Sequence, residues 1–100
     1  MNATPRHFAG QVILVTGASR GIGAGIAQAF ARQGAMVLVN YLSNHDAAQD
    51  VVSRCQQLGG DAWALSADVR SAEAVNAMVA QALRETGRID AVVNNAFSPY

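Results

Sequence analysis

A doubly wound α/β fold built on a parallel sheet is the class this sequence predicts, and two observations predict it. Short apolar runs rich in β-branched residues recur at residues 12–15, 37–39, 62–65 and 91–93. Strands this brief and this uniformly apolar suit a sheet buried on both faces. Longer stretches with apolar residues at helical spacing lie between them. The order β-α-β-α-β-α-β follows, with right-handed crossovers and helices on the faces of an open sheet.

The elements follow in order. After the first strand, Ile22, Ile26, Ala29 and Phe30 fall on one helical face, and Gly34 can end that helix. A second stripe of Ala47, Val51, Cys55 and Leu58 opens at Ser43 or Asn44 as N-cap and closes at Gly59-Gly60. A third stripe of Val75, Met78, Val79, Ala82 and Leu83 opens at Ser71, with Glu73 in its first turn, and closes at Gly87. Trp63 alternates with Ala62 and Ala64 on an expected edge strand, where it packs under a neighbouring helix or against a subunit. Cys55 shares a stripe with apolar residues and is expected to be a core thiol.

Composition narrows the function classes. The chain has 100 residues, 51% hydrophobic and 14% charged, enough apolar surface for one small domain or a piece of a larger one. A formal net charge of +0 argues against nucleic acid or an anionic membrane as partner. One cysteine leaves no internal disulfide and no multi-cysteine metal site. Neither His7 nor His45 has a second metal ligand at useful spacing. Residues 1–8 carry no apolar leader, so the expected setting is the cytoplasm. Residues 1–10 read as a mobile tail, and 11–100 as the folded portion.

The segment that carries chemistry is Thr16-Gly17-Ala18-Ser19-Arg20-Gly21-Ile22-Gly23, between the first strand and the first helix. Ligands of open α/β sheets bind outside the carboxyl ends of the strands. A tight turn there needs residues without a Cβ, and a phosphate needs backbone N–H groups and the positive end of a helix. The segment is therefore read as a pyrophosphate cradle of a Rossmann-type fold.

Its Gly-x-x-x-Gly-x-Gly spacing resembles the short-chain dehydrogenase/reductase family. Asp68-Val69 after the third strand and Asn94-Asn95-Ala96 after the fourth match two further elements of that family, so the resemblance covers residues 11–96. It looks most like the 3-oxoacyl-[acyl-carrier-protein] reductases of fatty acid biosynthesis. It implies a nicotinamide cofactor, with Gly17, Ala18, Ser19, Arg20, Gly21, Ile22 and Gly23 at the phosphates. Asn40 and Tyr41 would stand beside the ribose, Asp68 and Val69 would read the adenine, and Asn95 and Ala96 would approach the nicotinamide. Asn94 would brace the sheet. A carbonyl substrate, small or an acyl thioester, and a homo-oligomeric parent enzyme are implied with it.

NADP(H) is expected over NAD(H). An acid ending the second strand would chelate ribose hydroxyls, but here Val39-Asn40-Tyr41 stands there, with no acid before Asp46. A carboxylate at about 4 Å would repel a 2′-phosphate by ~4 kcal/mol at an effective dielectric of ~20. Asn40 removes that penalty and offers an amide donor. Arg20 can pair with the phosphate, and a hydrogen bond to a charged group is worth ~1.5–3 kcal/mol, or roughly tenfold to hundredfold. His45 is placed near the same end, as a solvated residue by default.

The family's proton donor is a Tyr-x-x-x-Lys pair, yet the chain holds no lysine, and its tyrosines are Tyr41 and Tyr100. No catalytic residue is assigned. The expectation is the cofactor-binding half of a longer reductase, cut after the fourth strand, whose apolar edge would otherwise stand bare. Phe97 departs from the glycine common in the family, and residues 98–100 would continue into a substrate loop. The alternative is a non-catalytic NADP(H)-binding module that acts through a partner. A nucleotide-fold methyltransferase would want an acid ending the second strand, and a kinase-like phosphate loop would want Gly-Lys-Ser/Thr. Both are absent.

Overall fold

The strands form one parallel sheet because each crossover helix returns the chain to the same sheet edge direction. The computed structural model describes residues 6–96; the readings at Phe97 and at residues 98–100 lie outside the described residues. The order is β1 (Val12–Val15), α1 (Gly21–Arg32), β2 (Met36–Tyr41), α2 (His45–Gln57), β3 (Asp61–Ser66), α3 (Ala72–Thr86) and β4 (Ala91–Val93). The sheet runs β3-β2-β1-β4, with Val12 beside Met36, Met36 beside Asp61 and Ile13 beside Ala91. The chain builds outward from β1 through β2 to β3, then returns to the other side of β1. That reversal makes the carboxyl end of β1 a topological switch point, where this architecture opens a crevice.

Residues of β1, β2 and β3 divide between two cores, one on each face of the sheet. Ile13, Val15, Val37, Val39 and Ala62 meet α1 and α2 on one face. Val12, Leu14, Leu38 and Leu65 meet Met78 and Ala82 of α3 on the other. All four residues of β1 are buried, which is why its sequence shows no polar alternation. Trp63 of the edge strand β3 is half-buried against the α3 layer, as packing under a neighbouring helix requires. Cys55 is fully buried, and desolvation pushes its thiol up to about 11. It is a core residue.

The expected α1 stripe is corrected. The residues α1 buries are Gly23, Ala24, Ala27 and Ala31, whereas Ile22 is 77% exposed and Ala29 is exposed. Ile26 and Phe30 pack at the margin of the core. A helix that lies close over a sheet needs small side chains on the contact line, so the larger apolar residues are displaced to its flanks. In α2 the buried set is Ala48, Val51, Val52 and Cys55, shifted by one position at its start from the expected stripe.

The caps fall where the residue types place them. Asn44 Oδ1 accepts from Ala47 N at 3.0 Å to start α2, and Ser71 Oγ accepts from Ala74 N at 3.1 Å to start α3. Gly87 ends α3 in the left-handed region at φ 79°.

The expected tail is also corrected from residue 6 onward. Phe8 N donates to Gln33 O at 3.1 Å, and the Phe8 ring meets Phe30 edge-on at 5.0 Å between centroids. Arg6 Nη1 donates to Gly59 O at 3.3 Å. Aromatic packing and the carbonyls beyond α2 hold this segment down. At the same end of the sheet, Asp90 Oδ2 accepts from Val12 N at 2.7 Å and the Asp90 carboxylate pairs with Arg88, fastening the entry of β4 to that of β1.

Candidate functional site

All four strands end at one cleft of about 700 Å³. Its walls are the β1–α1 loop (Gly17, Ser19, Arg20, Gly21 and Ile22), the end of β2 (Asn40, Tyr41 and Leu42), residues 67–70 after β3, and Asn95 with Ala96 after β4. Of the thirteen residues expected at a cofactor, eleven line it. Ala18 and Gly23 do not: Ala18 is fully buried and Gly23 is buried in α1.

Gly23 has a structural task instead. A Cβ there would collide with the Gly17 carbonyl oxygen and stand 2.6 Å from Asn95 Nδ2. Its bare Cα lets α1 dock against the loop beneath the cleft. Like Gly17, Gly21 lines the cleft. Its φ of +60° is left-handed, and a Cβ there would meet nothing within 4 Å, so backbone conformation rather than crowding requires glycine.

The start of α1 differs from the other two helices. Its N-cap is Arg20, which makes no side-chain cap, and no acid stands in its first turn. Asp46 and Glu73 occupy the first turns of the capped helices α2 and α3. A helix that begins without a cap leaves its first N–H groups to a ligand or to solvent, with a partial positive charge behind them. The charged residues on the cleft wall are Arg20, Arg70 and Asp68, one more cation than anions. Among the described residues Arg20 has no ion-pair partner, since the two pairs are Arg70–Asp68 and Arg88–Asp90.

The reading of Asn40 as an amide donor to the ribose end is corrected. Asn40 is 2% exposed. Its Oδ1 accepts from Gly17 N at 3.1 Å, while Nδ2 donates to Leu65 O at 3.3 Å, Ala67 O at 3.2 Å and Met78 Sδ at 3.3 Å. Its carbonyl accepts from Ala18 N at 2.8 Å. Every polar atom of the side chain is turned inward, because the end of β2 lies under the glycine loop and between two sheet neighbours. The position at the end of β2 that reaches the cleft is Tyr41, half-buried, with its hydroxyl 2.8 Å from His45 Nδ1. His45 is therefore paired rather than merely solvated.

Thr16 was quoted in the glycine segment but given no role, and it proves central. It is 6% exposed. Its Oγ1 accepts from Asn95 N at 2.9 Å and Ala96 N at 3.0 Å, and its proton faces Asn94 Oδ1 at 3.3 Å and Val93 O at 3.4 Å. Asn95 Nδ2 donates to Gly17 O at 3.2 Å. Asn94 and Asn95 thus both brace the β1–β4 junction. The signal for Thr16 was available: it is the single hydroxyl between a buried strand and the first glycine.

Asp68 lines the cleft with its carboxylate engaged. Arg70 donates to it from N at 2.9 Å, Nε at 3.0 Å and Nη2 at 2.9 Å. The Arg70 side-chain hydrogen bond, followed by its backbone N–H, lowers Asp68 to about 2. Arg70 is a cleft residue that the motif reading passed over; an Asp-x-Arg step after a strand was its trace.

Two outcomes follow. Asn40→Asp removes the donor that three buried acceptors share and buries a carboxylate against carbonyl oxygens, so it should destabilise the fold by about 3 kcal/mol or more, read as a urea midpoint shift. Arg70→Ala should return Asp68 from about 2 toward the ordinary ~3.9 of an aspartate, read by carboxyl-carbon NMR. The Asp68 carboxylate favours the fold above that ordinary value, and its contribution is lost as pH falls from there through about 2; Arg70→Ala should reduce that acid-side slope, the backbone N–H of residue 70 keeping the remainder.

Comparison with known proteins agrees with this geometry. The family model for short chain dehydrogenase matches residues 11–97. The chain is 46% identical over 93 residues to the hydroxynaphthalene reductase-like protein Arp2 of Metarhizium brunneum, covering 93% of this chain and 35% of that protein. It superposes with a TM-score of 0.86 on a hydroxysteroid dehydrogenase from Escherichia coli, at 40% identity over 97% of this chain and 41% of the other. A metagenomic short-chain oxidoreductase in complex with NADP also matches with a TM-score of 0.86, at 35% identity over 93% of this chain and 42% of its own. The chain therefore spans about a third of the length of the curated relative. Its sequence and its fold place it in the short-chain dehydrogenase family.

Proposed function

We propose that this chain is the NADP(H)-binding portion of an oxidoreductase that reduces a carbonyl group, with a 3-oxoacyl thioester as one substrate class. The observation that carries the reading is the open start of α1. Its uncapped N–H groups face a cleft at the sheet's switch point, beside Arg20. That arrangement suits a pyrophosphate, which brings two negative charges and many acceptor oxygens.

Gly21 lets the main chain turn there without a Cβ in the ligand's path, and Asn40 and Thr16 fix the loop from below. When bound, the nicotinamide supplies a hydride. The chain's own residues bind and orient. No lysine occurs among the 100 residues, so a Tyr-x-x-x-Lys proton donor is not supplied from this sequence. Arg20, exposed on the cleft wall, is the cation available to pair with a 2′-phosphate. Tyr41 occupies the place where an acid would select NAD(H), and a carboxylate there would repel the phosphate.

Arg20→Ala should weaken NADPH binding by about tenfold to hundredfold and NADH binding by no more than about threefold. Tyr41→Asp should move the two affinities in the same directions. Fluorescence titration of the four combinations reads both, and equal losses for the two nucleotides would contradict the NADP(H) preference.

A further inference from the structure

We infer that His45 is a positioning residue for the dinucleotide site, acting through Tyr41. The inference rests on the dinucleotide reading above and adds to it a residue that does not line the cleft.

Tyr41 is the last residue of β2, and one side of its ring packs on the core under α1 and α2. Its main chain is fixed, since Tyr41 O accepts from Ala67 N at 3.0 Å and the residue pairs with Ser66 of β3. Backbone anchoring alone leaves the phenol free to turn about its χ angles. His45 removes that freedom. Its Nδ1 lies 2.8 Å from the Tyr41 hydroxyl, and the rings meet edge-on at 5.6 Å between centroids.

His45 is itself held in place. It is the first residue of α2, preceded by the N-cap Asn44, and His45 N donates to Ser43 O at 3.0 Å. The turn between β2 and α2 is thus short and hydrogen-bonded, and it sets the imidazole against the back of the phenol. The pair forms a wall whose front belongs to Tyr41 and whose support belongs to His45.

The ligand concerned is the adenosine end of a dinucleotide, because Tyr41 stands at the end of β2, across the cleft from Asn95 and Ala96 after β4. Fixing the phenol before the ligand arrives lowers the entropic cost of binding. Losing that order should weaken any nucleotide carrying the adenosine end, while leaving the fold intact, because His45 is exposed and outside both cores.

The test is isothermal titration of the full chain with NADPH and with adenosine 2′,5′-bisphosphate, alongside thermal melting. His45→Ala and Tyr41→Phe should each weaken both ligands by about threefold to tenfold, with the melting temperature unchanged. The double variant should be no weaker than either single one, since each removes the same hydrogen bond. His45→Gln, which retains an acceptor, should recover part of the loss. Wild-type affinity in His45→Ala, or losses that multiply in the double variant, would overturn the inference while leaving the dinucleotide reading intact. If the unmodified chain binds neither ligand, the dinucleotide reading falls and takes this inference with it.

Discussion

The Asn40 carboxamide joins the glycine loop, the end of β3 and α3 through one buried side chain. It receives Gly17 N on its oxygen and gives its nitrogen to Leu65 O, Ala67 O and Met78 Sδ. Without it, Gly17 N, Leu65 O and Ala67 O would each lose a hydrogen-bond partner, at roughly 1–3 kcal/mol for any of them left buried and unpaired. The loop would then have no reason to keep the shape that opens α1 toward the cleft. Thr16 performs the matching task on the other side of β1, tying the turn after β4 to the end of the central strand. Between them, two neutral polar side chains hold all four strand ends in register around one hollow.

That framework explains the charge placed on it. Helices α2 and α3 carry their own side-chain caps and an acid in the first turn, whereas α1 carries neither. The cleft's one carboxylate, Asp68, is neutralised by Arg70 at three contacts. Arg20 is left as the exposed charge beside the loop. The wall therefore presents an uncapped helix start and one unpaired arginine, over a floor of buried polar groups that are already satisfied. Binding needs little rearrangement in such a site, since the donors are oriented before the ligand arrives.

Much of this was legible in the residues, and the parts that were not share a cause. β1 is readable because four apolar residues end at a threonine and a glycine; Asn44, Ser71 and Gly87 are readable because their chemistry fits caps and little else. The contact line of α1 was not, because helical spacing ranks residues by hydrophobicity, while close docking on a sheet selects for size: Ala24, Ala27 and Ala31 win over Ile22, Ile26 and Phe30. Asn40 was misplaced for a related reason. In a parallel sheet buried on both faces no polar alternation marks which side of a strand end meets solvent, so a polar residue there can be floor or wall. Its neighbour Tyr41, more apolar, turned out to be the wall. Phe8 and Arg6 hold down a segment whose composition gave no periodic signal at all.

We propose that the backbone amides where the glycine loop enters α1 receive the phosphates of a dinucleotide. The amide resonances of the full chain, followed while NADPH is added, report on this contact. Large shifts are expected at Ser19, Arg20, Gly21 and Ile22, with Leu14 and Val37, inside the sheet, barely moving. Resonances of residues 19–22 that stay in place at saturation, with the perturbation falling on another face, would contradict it.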